Sequence, residues 1–342
     1  MANSKTITLA HGSGGKATRD LVRDVFLHHF RNPWLSPLED QARLDIPELR
    51  EPGARLAMTT DGYVVTPLFF PGGDIGTLAV NGTVNDLAVG GAKPLYLSAS
   101  FILEEGLPVD VLNRVAASMR AAADEAGVAI VTGDTKVVPH GAADQLFIST
   151  AGVGVLRPGC DLSAAKIQPG DMILLNGELG NHGAAILDAR GELALENSIQ
   201  SDCQPLNRLT ALMLHVCPEL RCMRDATRGG LATVLNEFAT ESNCCMRLEE
   251  QAIPLREDVR GVCEILGLDP LYLANEGKVV AICPPQRAEA LVAAMREFPE
   301  GRRAAVVGQV TAKPSGMVMM STSFGGDRVV DVMYDVLLPR IC

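Results

Sequence analysis

The sequence predicts an α/β protein with a two-layer architecture, organised as two domains and a C-terminal tail. Apolar runs typical of strands alternate along the chain with segments whose apolar residues recur at helical spacing. This alternation begins again after Arg157-Pro158-Gly159, where we place the domain boundary. A length of 342 residues is enough for two hydrophobic cores. We therefore expect an N-terminal domain at 1–156, a second domain at 157–312 and a flexible tail at 313–342.

Composition and charge exclude several classes of function. The chain carries 30 basic and 41 acidic residues, which give a net charge of −11. Such an acidic balance argues against nucleic acid or an anionic membrane as the main partner. The first residues contain no apolar core of a signal peptide, and no apolar run reaches membrane-spanning length. We therefore expect a cytoplasmic protein.

The cysteines do not indicate a disulfide framework or a zinc site. Nine of them lie between Cys160 and Cys342, and none forms a Cys-x-x-Cys pair. Disulfides are rare in a reducing compartment, and a structural zinc site usually needs paired ligands. Cys342 follows a short, mostly apolar stretch, and chain ends are usually mobile, so its thiol could travel between sites. Prenylation is excluded because it needs the cysteine fourth from the end.

The first elements are a β-like run over 6–9, a Gly-rich loop and a helix. The loop reads His11-Gly12-Ser13-Gly14-Gly15-Lys16, and a helical apolar pattern then extends to Phe30. A Gly-rich turn before a helix can offer backbone N–H groups to a phosphate. The loop is not a Walker A motif, because Ala10 and Ala17 replace residues which that motif requires. A mobile entry loop is the alternative interpretation.

A strand that ends at Asp61 comes next, followed by a predicted helix with Asp74 at its N-cap. Asn81 and Asn85 share one face of this helix, and Asp86 is adjacent to them. The remaining residues are mostly apolar, so these polar side chains are costly if they are buried without partners. A functional site and a solvated face are equally compatible with this pattern.

A helix at about 110–126 leads into a strand that ends with Asp134, Thr135 and Lys136. An acid, a hydroxyl and a lysine within three residues are typical of a site for a metal-bound phosphate. The carboxylate would bind Mg²⁺ and the ammonium would bind phosphoryl oxygens. A turn that uses Asp and Thr for local hydrogen bonds is the alternative. His140 follows in the next loop, close enough to serve the same site.

The second half of the chain repeats the alternation and adds three charged candidates. Asp225 and Arg228 precede Gly229-Gly230 and a helix, whose positive N-terminus favours anions. Glu276 stands just before an apolar strand. The other predicted elements are a strand at 145–156, a strand at 172–175, a Gly-rich loop at 177–183, strands at 279–283 and 304–310, a helix at 286–298, and β-like runs at 317–320 and 328–332.

Five acidic residues stand at the ends of elements or beside glycines: Asp61, Asp86, Asp134, Asp225 and Glu276. Several carboxylates brought together repel one another unless divalent cations lie between them. Mg²⁺ that holds a nucleoside triphosphate meets this requirement, because it takes one or two carboxylates together with phosphate oxygens. We therefore predict a site for ATP and Mg²⁺, with Asp61, Asp86 and Asp134 as the metal ligands.

The same motifs resemble those of the HypE family of hydrogenase maturation factors, within the PurM-like ATP-binding superfamily. The resemblance covers nearly the whole chain, although Asn181 replaces an acid that is common in the family, so we assign no metal ligand there. The matching motifs are Gly12 to Lys16, Thr60-Asp61-Gly62, Val84-Asn85-Asp86-Leu87, Gly133-Asp134-Thr135-Lys136, Asp225-Ala226-Thr227-Arg228-Gly229-Gly230, Asn275-Glu276-Gly277 and the closing Pro339-Arg340-Ile341-Cys342.

The resemblance implies a homodimer whose N-terminal domains pair through their sheets, each followed by an α/β domain. It implies that a HypF-like carbamoyltransferase loads a carbamoyl group onto Cys342 and that the mobile tail carries it to the ATP site. There the group is dehydrated to a thiocyanate. The cyano group then passes to iron on a HypC–HypD-like complex, as a ligand for nickel–iron hydrogenase.

The chemistry assigns roles to individual residues. Cys342 is the carrier thiol, and Lys136 neutralises charge during phosphoryl transfer. Glu276 is the first candidate for the general base and His140 the second, because each lies beside a predicted site loop. We expect ATP to be bound by Gly12, Ser13, Gly14, Gly15, Lys16, Asp61, Asn85, Asp86, Asp134, Thr135, Lys136, Asp225 and Arg228.

Two alternatives stay open at this point. Selenophosphate synthetase belongs to the same superfamily, but it uses a reactive Cys or selenocysteine by its Gly-rich loop, and the first cysteine here is Cys160. The other alternative is a non-enzymatic thiol carrier that binds nucleotide only as a switch. ATP turnover stimulated by a carbamoylated tail would exclude the carrier.

Overall fold

The structure is a computed structural model that describes residues 5–191, 199–333 and 340–342. Its strands form two larger sheets that are covered by helices, which confirms the predicted α/β class. Within the described ranges, no helix has both the length and the apolar character needed to cross a membrane.

The elements of the first half surround one four-stranded sheet. They are a 3-10 helix (Leu9–Gly12), α1 (Lys16–Leu21), a π-helical turn (Val22–Phe26), α2 (Leu27–Phe30), a 3-10 helix (Pro47–Arg50), β1 (Arg55–Tyr63), β2 (Phe69–Phe70), β3 (Gly73–Asp74), α3 (Ile75–Val89), β4 (Ala92–Glu104), α4 (Val109–Ala126), β5 (Ala129–Val138) and β6 (Leu146–Leu156).

The second half contains a seven-stranded sheet. Its helices and strands are α5 (Asn181–Ala189), α6 (Asn207–Val216), α7 (Gly230–Ser242), α8 (Glu257–Leu266), α9 (Pro285–Arg296), β7 (Met172–Leu175), β8 (Cys222–Asp225), β9 (Cys245–Glu249), β10 (Val279–Cys283), β11 (Ala305–Thr311), β12 (Val318–Ser321) and β13 (Asp327–Val329), with short 3-10 helices at Ala164–Lys166, Glu250–Ala252, Pro270–Tyr272 and Pro299–Gly301.

The first sheet has the strand order β1-β6-β4-β5, in which only the β4–β5 pair is parallel. Helix α3 packs on one face, and Asp74 caps it by accepting the backbone N–H groups of Gly76 and Thr77, as the sequence predicts. Asn81 and Asn85 are buried on this helix, so a solvated face is excluded. The opposite face of the sheet is mostly open: Trp34 packs on Tyr96 there, and Met58 on the same face is 71% exposed.

The second sheet has the strand order β13-β12-β9-β11-β7-β10-β8. Its two faces are covered by different helices, because successive side chains of a strand point to opposite faces. In β7, Ile173 and Leu175 belong to the core under α7, whereas Leu174 belongs to the core under α6 and α9. Helices therefore add a layer on both sides of this sheet.

Two expectations about the ends of the chain are corrected. The predicted β run at 6–9 is only a bridge between Thr6 and Pro108, because the N–H of Thr8 bonds His11 and a 3-10 helix begins there. The predicted tail at 313–342 begins too early. Strand β12 pairs with β9 and β13 pairs with β12, so residues 318–329 belong to the second sheet.

Candidate functional site

A cavity of about 320 Å³ opens where the two halves of the chain meet. Six residues singled out from the sequence line it, although they come from distant parts of the chain. They are Asp61 on β1, Asp86 on α3, Asp225 at the end of β8, Arg228 before α7, Glu276 before β10, and Cys342.

The acidic side chains of this cavity crowd one another. Thr59 donates its hydroxyl to Asp86 at 2.9 Å, while burial and the nearby Asp61 raise the pKa of Asp86. Burial and then the charge of Asp86 raise the pKa of Asp225 to about 7. Arg224 lowers the pKa of both carboxyls but does not offset these effects. Such an excess of negative charge is what a divalent cation or a guanidinium would relieve.

Glu276 is the most deeply buried acid of the cavity, with 4% of its surface exposed. Burial, followed by the charges of Asp202 and Asp225, raises its pKa well above the ordinary value. Its Oε1 atom has no hydrogen-bond partner among the described residues. A buried polar atom without a partner is rare, and one that lines a cavity is expected where a ligand completes the bonding.

Asp202, which the sequence did not single out, holds the Glu276 loop in place. Its carboxylate accepts the backbone N–H groups of Glu276 and Gly277 at 3.1 and 3.3 Å and the Lys278 ammonium at 2.7 Å. Both side chains of the Asp202–Lys278 pair are buried, at 4% and 6% exposure. A lysine directly before an apolar strand, as Lys278 is, indicates that a buried carboxylate pairs with it. The sequence does not show which one, because Asp202 lies 76 residues away.

Asn85, which the sequence predicts to bind ATP, does not line the cavity. Its Nδ2 donates to the backbone carbonyls of Gln204 and Glu276 at 3.1 and 3.2 Å, and its Oδ1 accepts the N–H of Leu206 at 2.7 Å. Both N–H groups of this buried amide and one acceptor position of its oxygen are therefore used within the protein. Asn85 joins α3 to the Glu276 loop.

The last residues of the chain reach the cavity alongside residues 64–66. Ile341 forms an antiparallel bridge with Val65, and Val64 donates its N–H to the Cys342 carbonyl at 2.9 Å. The pKa of the Cys342 thiol is raised to about 12 by burial and by the nearby Glu276. The thiol is therefore protonated in this position, which corresponds to the inward state of the predicted tail.

A second group of predicted residues lies at the far edge of the first sheet, on β5. Asp134 and Lys136 form an ion pair at 2.8 Å with both side chains exposed. The Gly-rich loop packs against the same strand, where a Cβ on Gly12 would lie 2.9 Å from the backbone nitrogen of Val137. The members of this group are Gly12, Ser13, Gly14, Gly15, Lys16, Asp134, Thr135 and Lys136.

Strand register separates the two groups. Asp134 is in line with Ser100, Ser149 and Gly62, and the side chain of Asp61 points to the other face. Three strand spacings put Asp134 roughly 14 Å from β1. The described part of the chain contains no cluster of three or more His, Cys, Asp or Glu able to hold a metal ion. One chain therefore does not assemble the predicted set of Asp61, Asp86 and Asp134.

His140 also lies outside the cavity. Its side chain is 86% exposed, and its Nδ1 atom is 3.3 Å from Glu104 Oε1 at the end of β4. Of the two candidates for the general base, the structure brings only Glu276 to Cys342.

A second cavity of about 520 Å³ adjoins the first. The two cavities share Asp86, Arg224 and Asp225, while Leu162 and Phe238 give the second one apolar walls. Sites for small ligands typically combine such apolar walls with a few polar groups. The pair of cavities therefore offers an apolar compartment that is joined to an acidic one.

Comparison with known proteins identifies two matching domain families. Residues 38–156 match the N-terminal domain of AIR synthase related proteins, and residues 168–321 match the C-terminal domain. The chain is 57% identical to carbamoyl dehydratase HypE of Rhodobacter capsulatus over 98% of both chains. It is 48% identical to carbamoyl dehydratase HypE of Escherichia coli K12, over 98% of this chain and 99% of the relative.

Solved structures agree. A crystal structure of HypE in complex with ATP is 51% identical and superposes with a TM-score of 0.93, over 98% of this chain and 100% of the other. A crystal structure of a HypE–HypF complex contains a chain that is 43% identical, with a TM-score of 0.79. The match covers 92% of this chain and 99% of the other. A thiamine-monophosphate kinase of Stenotrophomonas maltophilia shares the fold, at 20% identity and a TM-score of 0.66. The match covers 88% of this chain and 95% of the kinase. The chain therefore belongs to the HypE family of carbamoyl dehydratases.

Proposed function

We propose that this protein dehydrates a carbamoyl group carried on Cys342 to a thiocyanate, at the expense of ATP, to supply a cyanide ligand for nickel–iron hydrogenase. One observation carries the proposal. The Cys342 thiol reaches an acidic cavity that it shares with Glu276 and Arg228. The relatives that bear the name carbamoyl dehydratase match the chain over almost its full length.

The cavity residues fit Mg²⁺ and a nucleoside triphosphate. Asp61 and Asp86 are half-buried carboxylates on neighbouring elements, and burial together with the charge of Asp86 raises the pKa of Asp225 to about 7. We infer that Asp61 and Asp86 bind the metal and that Asp225 supports them. Bound Mg²⁺ supplies charge neutralisation for the phosphates. ATP binding is supported by the relative that was solved with this nucleotide.

The first chemical step activates the carbamoyl oxygen, which is a poor leaving group until it is phosphorylated. In our proposal, this oxygen attacks the γ-phosphoryl group of ATP and ADP departs. Arg224 and Arg228 line the cavity and can hold the phosphoryl oxygens as negative charge moves between them. Positioning and charge stabilisation are the main requirements of phosphoryl transfer.

The carbamoyl nitrogen carries two protons: in our proposal one passes to a base in the second step and the other leaves with the phosphate. We assign this role to Glu276, whose unpartnered Oε1 is available to the substrate. The C–O bond then breaks, phosphate leaves, and a carbon–nitrogen triple bond forms on the Cys342 sulfur. A base must be ionised to act; Arg228 favours the carboxylate form of Glu276, although burial and the charges of Asp202 and Asp225 together raise its pKa more strongly.

The residues on β5 are available to a second copy of the chain. The open face of the first sheet exposes Leu56, Met58 and Ile102 at 55%, 71% and 40%. Large apolar side chains exposed along one face of a sheet are compatible with an interface. We propose that two sheets pair through this face as a homodimer. Asp134, Lys136 and the Gly-rich loop of one protomer would then complete the cavity of its partner.

Other proteins enter the scheme at the ends of the reaction. We propose that a HypF-like carbamoyltransferase loads Cys342, as the known HypE–HypF complex supports, and that a HypC–HypD-like complex accepts the cyano group. We also propose a cytoplasmic location, since all nine cysteines of the chain are free. The selenophosphate synthetase alternative is disfavoured because Cys160 lies beside Gly91, away from the Gly-rich loop.

The test of this function is the mass of the intact protein. The chain is incubated with carbamoyl phosphate, ATP and the partner transferase, and we expect a carbamoyl adduct that loses one water in an ATP-dependent step. Cys342→Ala is the matched control and should stay unmodified. An adduct on that variant would refute the carrier role of Cys342. A carbamoyl adduct that persists on the wild-type protein with ATP and Mg²⁺ would refute the dehydratase activity.

A further inference from the structure

The docked tail is held from both sides by different halves of the chain. On one edge its backbone pairs with residues 64–66, since Val64 donates to the Cys342 carbonyl and Thr66 donates to the Arg340 carbonyl at 3.2 Å. The other edge faces α5. There His182, at the start of the helix, lies 2.6 Å through its Nε2 atom from the Ile341 carbonyl.

The bonding of His182 defines which nitrogen carries the proton. A carbonyl can only accept, so Nε2 donates to Ile341. The other ring nitrogen, Nδ1, then accepts the hydroxyl of Ser201 at 2.8 Å, and this hydroxyl accepts the N–H of Cys203 at 3.1 Å. His182 is fully buried, and burial lowers its pKa, which keeps the ring neutral. Both nitrogens of the neutral ring are therefore occupied.

The start of α5 is also bonded to the loop that carries Glu276. The N–H of Gly180 donates to Asn275 Oδ1 at 2.8 Å, and the N–H of Gly183 donates to the Ala274 carbonyl at 3.0 Å. The two donors, Gly180 and Gly183, lie on either side of His182 in the sequence. The imidazole therefore has a fixed place relative to the residue before Glu276 and relative to the residue before Cys342.

The inference about His182 rests on the proposed function. We propose that His182 is a positioning residue that fixes how deeply Cys342 enters the cavity, and thereby aligns the carried group with Glu276. It acts through the Ile341 carbonyl and touches neither ATP nor the reacting atoms. The buried Ile341 side chain packs in the same core as Ile186 of α5, which supports the same placement.

Two substitutions separate the hydrogen bond from the bulk of the ring. His182→Phe keeps an aromatic ring, which can still meet Phe70 edge to face, but it leaves the Ile341 carbonyl without its donor. His182→Gln retains a donor and an acceptor. His28→Phe on the exposed surface of α2 is the matched control. All proteins are first compared for ATP affinity, which we expect to be equal because His182 does not line either cavity.

The first readout is alkylation of Cys342, followed by mass spectrometry of the C-terminal peptide. We expect His182→Phe to raise the rate about tenfold, because a buried carbonyl loses its donor when the tail docks. The second readout is conversion of preloaded carbamoyl to thiocyanate in a single turnover, which should slow by a similar factor. His182→Gln should recover much of both, and His28→Phe should match the wild type.

A stability comparison tests whether the effect passes through the tail. His182→Phe is made in the full chain and in a chain that lacks residues 340–342. We expect it to lower the melting temperature more in the full chain. Equal losses in both backgrounds, or unchanged alkylation and conversion, would overturn the positioning role. Wild-type protein that never converts the carbamoyl group would refute the proposed function, while faster alkylation of His182→Phe would still support the contact with the tail.

Discussion

Asp61 and Asp134 belong to the same four-stranded sheet but lie on opposite faces and on opposite edge strands, β1 and β5. Asp61 points into the cavity that receives Cys342, whereas Asp134 is exposed and paired with Lys136. No change of rotamer brings the two carboxylates together across roughly 14 Å of sheet. If both serve one reaction, they come from different chains.

We expect complementation between two inactive variants. Asp61→Asn removes a carboxylate from the cavity, and Asp134→Asn removes one from β5, so each homodimer has two defective sites. After the protomers are exchanged, half of the dimers combine both variants and carry one intact site. Dehydration should return to about a quarter of the wild-type rate. Mixing two preparations of Asp61→Asn is the control, and absence of recovery in the true mixture would place Asp134 outside the reaction.

Glu276→Gln should separate ATP binding from dehydration. The amide fills the same volume but cannot accept a proton, so carbamoyl-loaded protein should accumulate while ATP affinity stays unchanged. The variant should also be at least as stable to heat as the wild type, because it removes a buried carboxyl beside Asp202 and Asp225. Intact-mass analysis and calorimetry measure these outcomes. Normal formation of the thiocyanate would eliminate Glu276 as the base.

Lys278→Met should destabilise the protein strongly. It leaves the buried carboxylate of Asp202 without its 2.7 Å partner, and the loss of one partner of a buried pair costs about 3–5 kcal/mol. Adding Asp202→Asn to this variant should restore part of the loss, since the amide still accepts the backbone N–H of Glu276. Urea unfolding gives the free energies. A loss below about 1 kcal/mol for the single variant would show that the pair is solvated.

Asn85→Ala tests the role that the structure gives this amide. Two backbone carbonyls and the N–H of Leu206 lose their partner, so we expect a loss of about 2–4 kcal/mol in the free energy of unfolding. Nucleotide affinity of the folded fraction should not change. A large fall in ATP affinity without loss of stability would instead support the contact with ATP that the sequence suggested.

The docked tail should depend on pH through Cys342. Its thiol has an ordinary pKa near 9 when free and a pKa of about 12 when docked. A raised pKa stabilises the docked form fully below pH 9, and this contribution is lost as the pH rises towards 12. Cys342→Ser, which does not ionise in this range, is the reference. The stability of the wild type relative to this variant should fall as the pH rises from 9 towards 12, and a flat difference would show that the thiol is not desolvated.

Much of the cavity could be predicted because most of its acids stand beside a glycine or near the end of an element, whereas Glu237, in the middle of α7, also lines it and was not singled out. Asp61, Asp86, Asp225 and Glu276 all carry this local signal, and the structure brings them together. The face on which Asp134 lies could not be predicted, because it depends on the register of β4 and β6. The sequence analysis also missed strand β4 itself, which lies inside the sheet and pairs with both β6 and β5.

The supporting roles of His182 and Asn85 were missed for a different reason. His182 and its partner Ile341 are 159 residues apart, and Asn85 and Glu276 are 191 residues apart. No pattern of periodicity or spacing links positions this distant, and buried amides and imidazoles show their role only through the backbone groups that they meet. The sequence therefore revealed the reacting groups better than the residues that hold them.

The contacts that seat the tail have a kinetic consequence. Docked Cys342 lies inside the cavity, so in our proposal loading and transfer require the tail to leave it, and every cycle then takes one departure and one return of the same segment. Bonds from residues 64–66 on one side and from His182 on the other make placement accurate, and the same bonds slow release. Accurate placement of the tail therefore limits the turnover rate, and we expect a conformational step, the release of the tail, to limit the supply of cyanide.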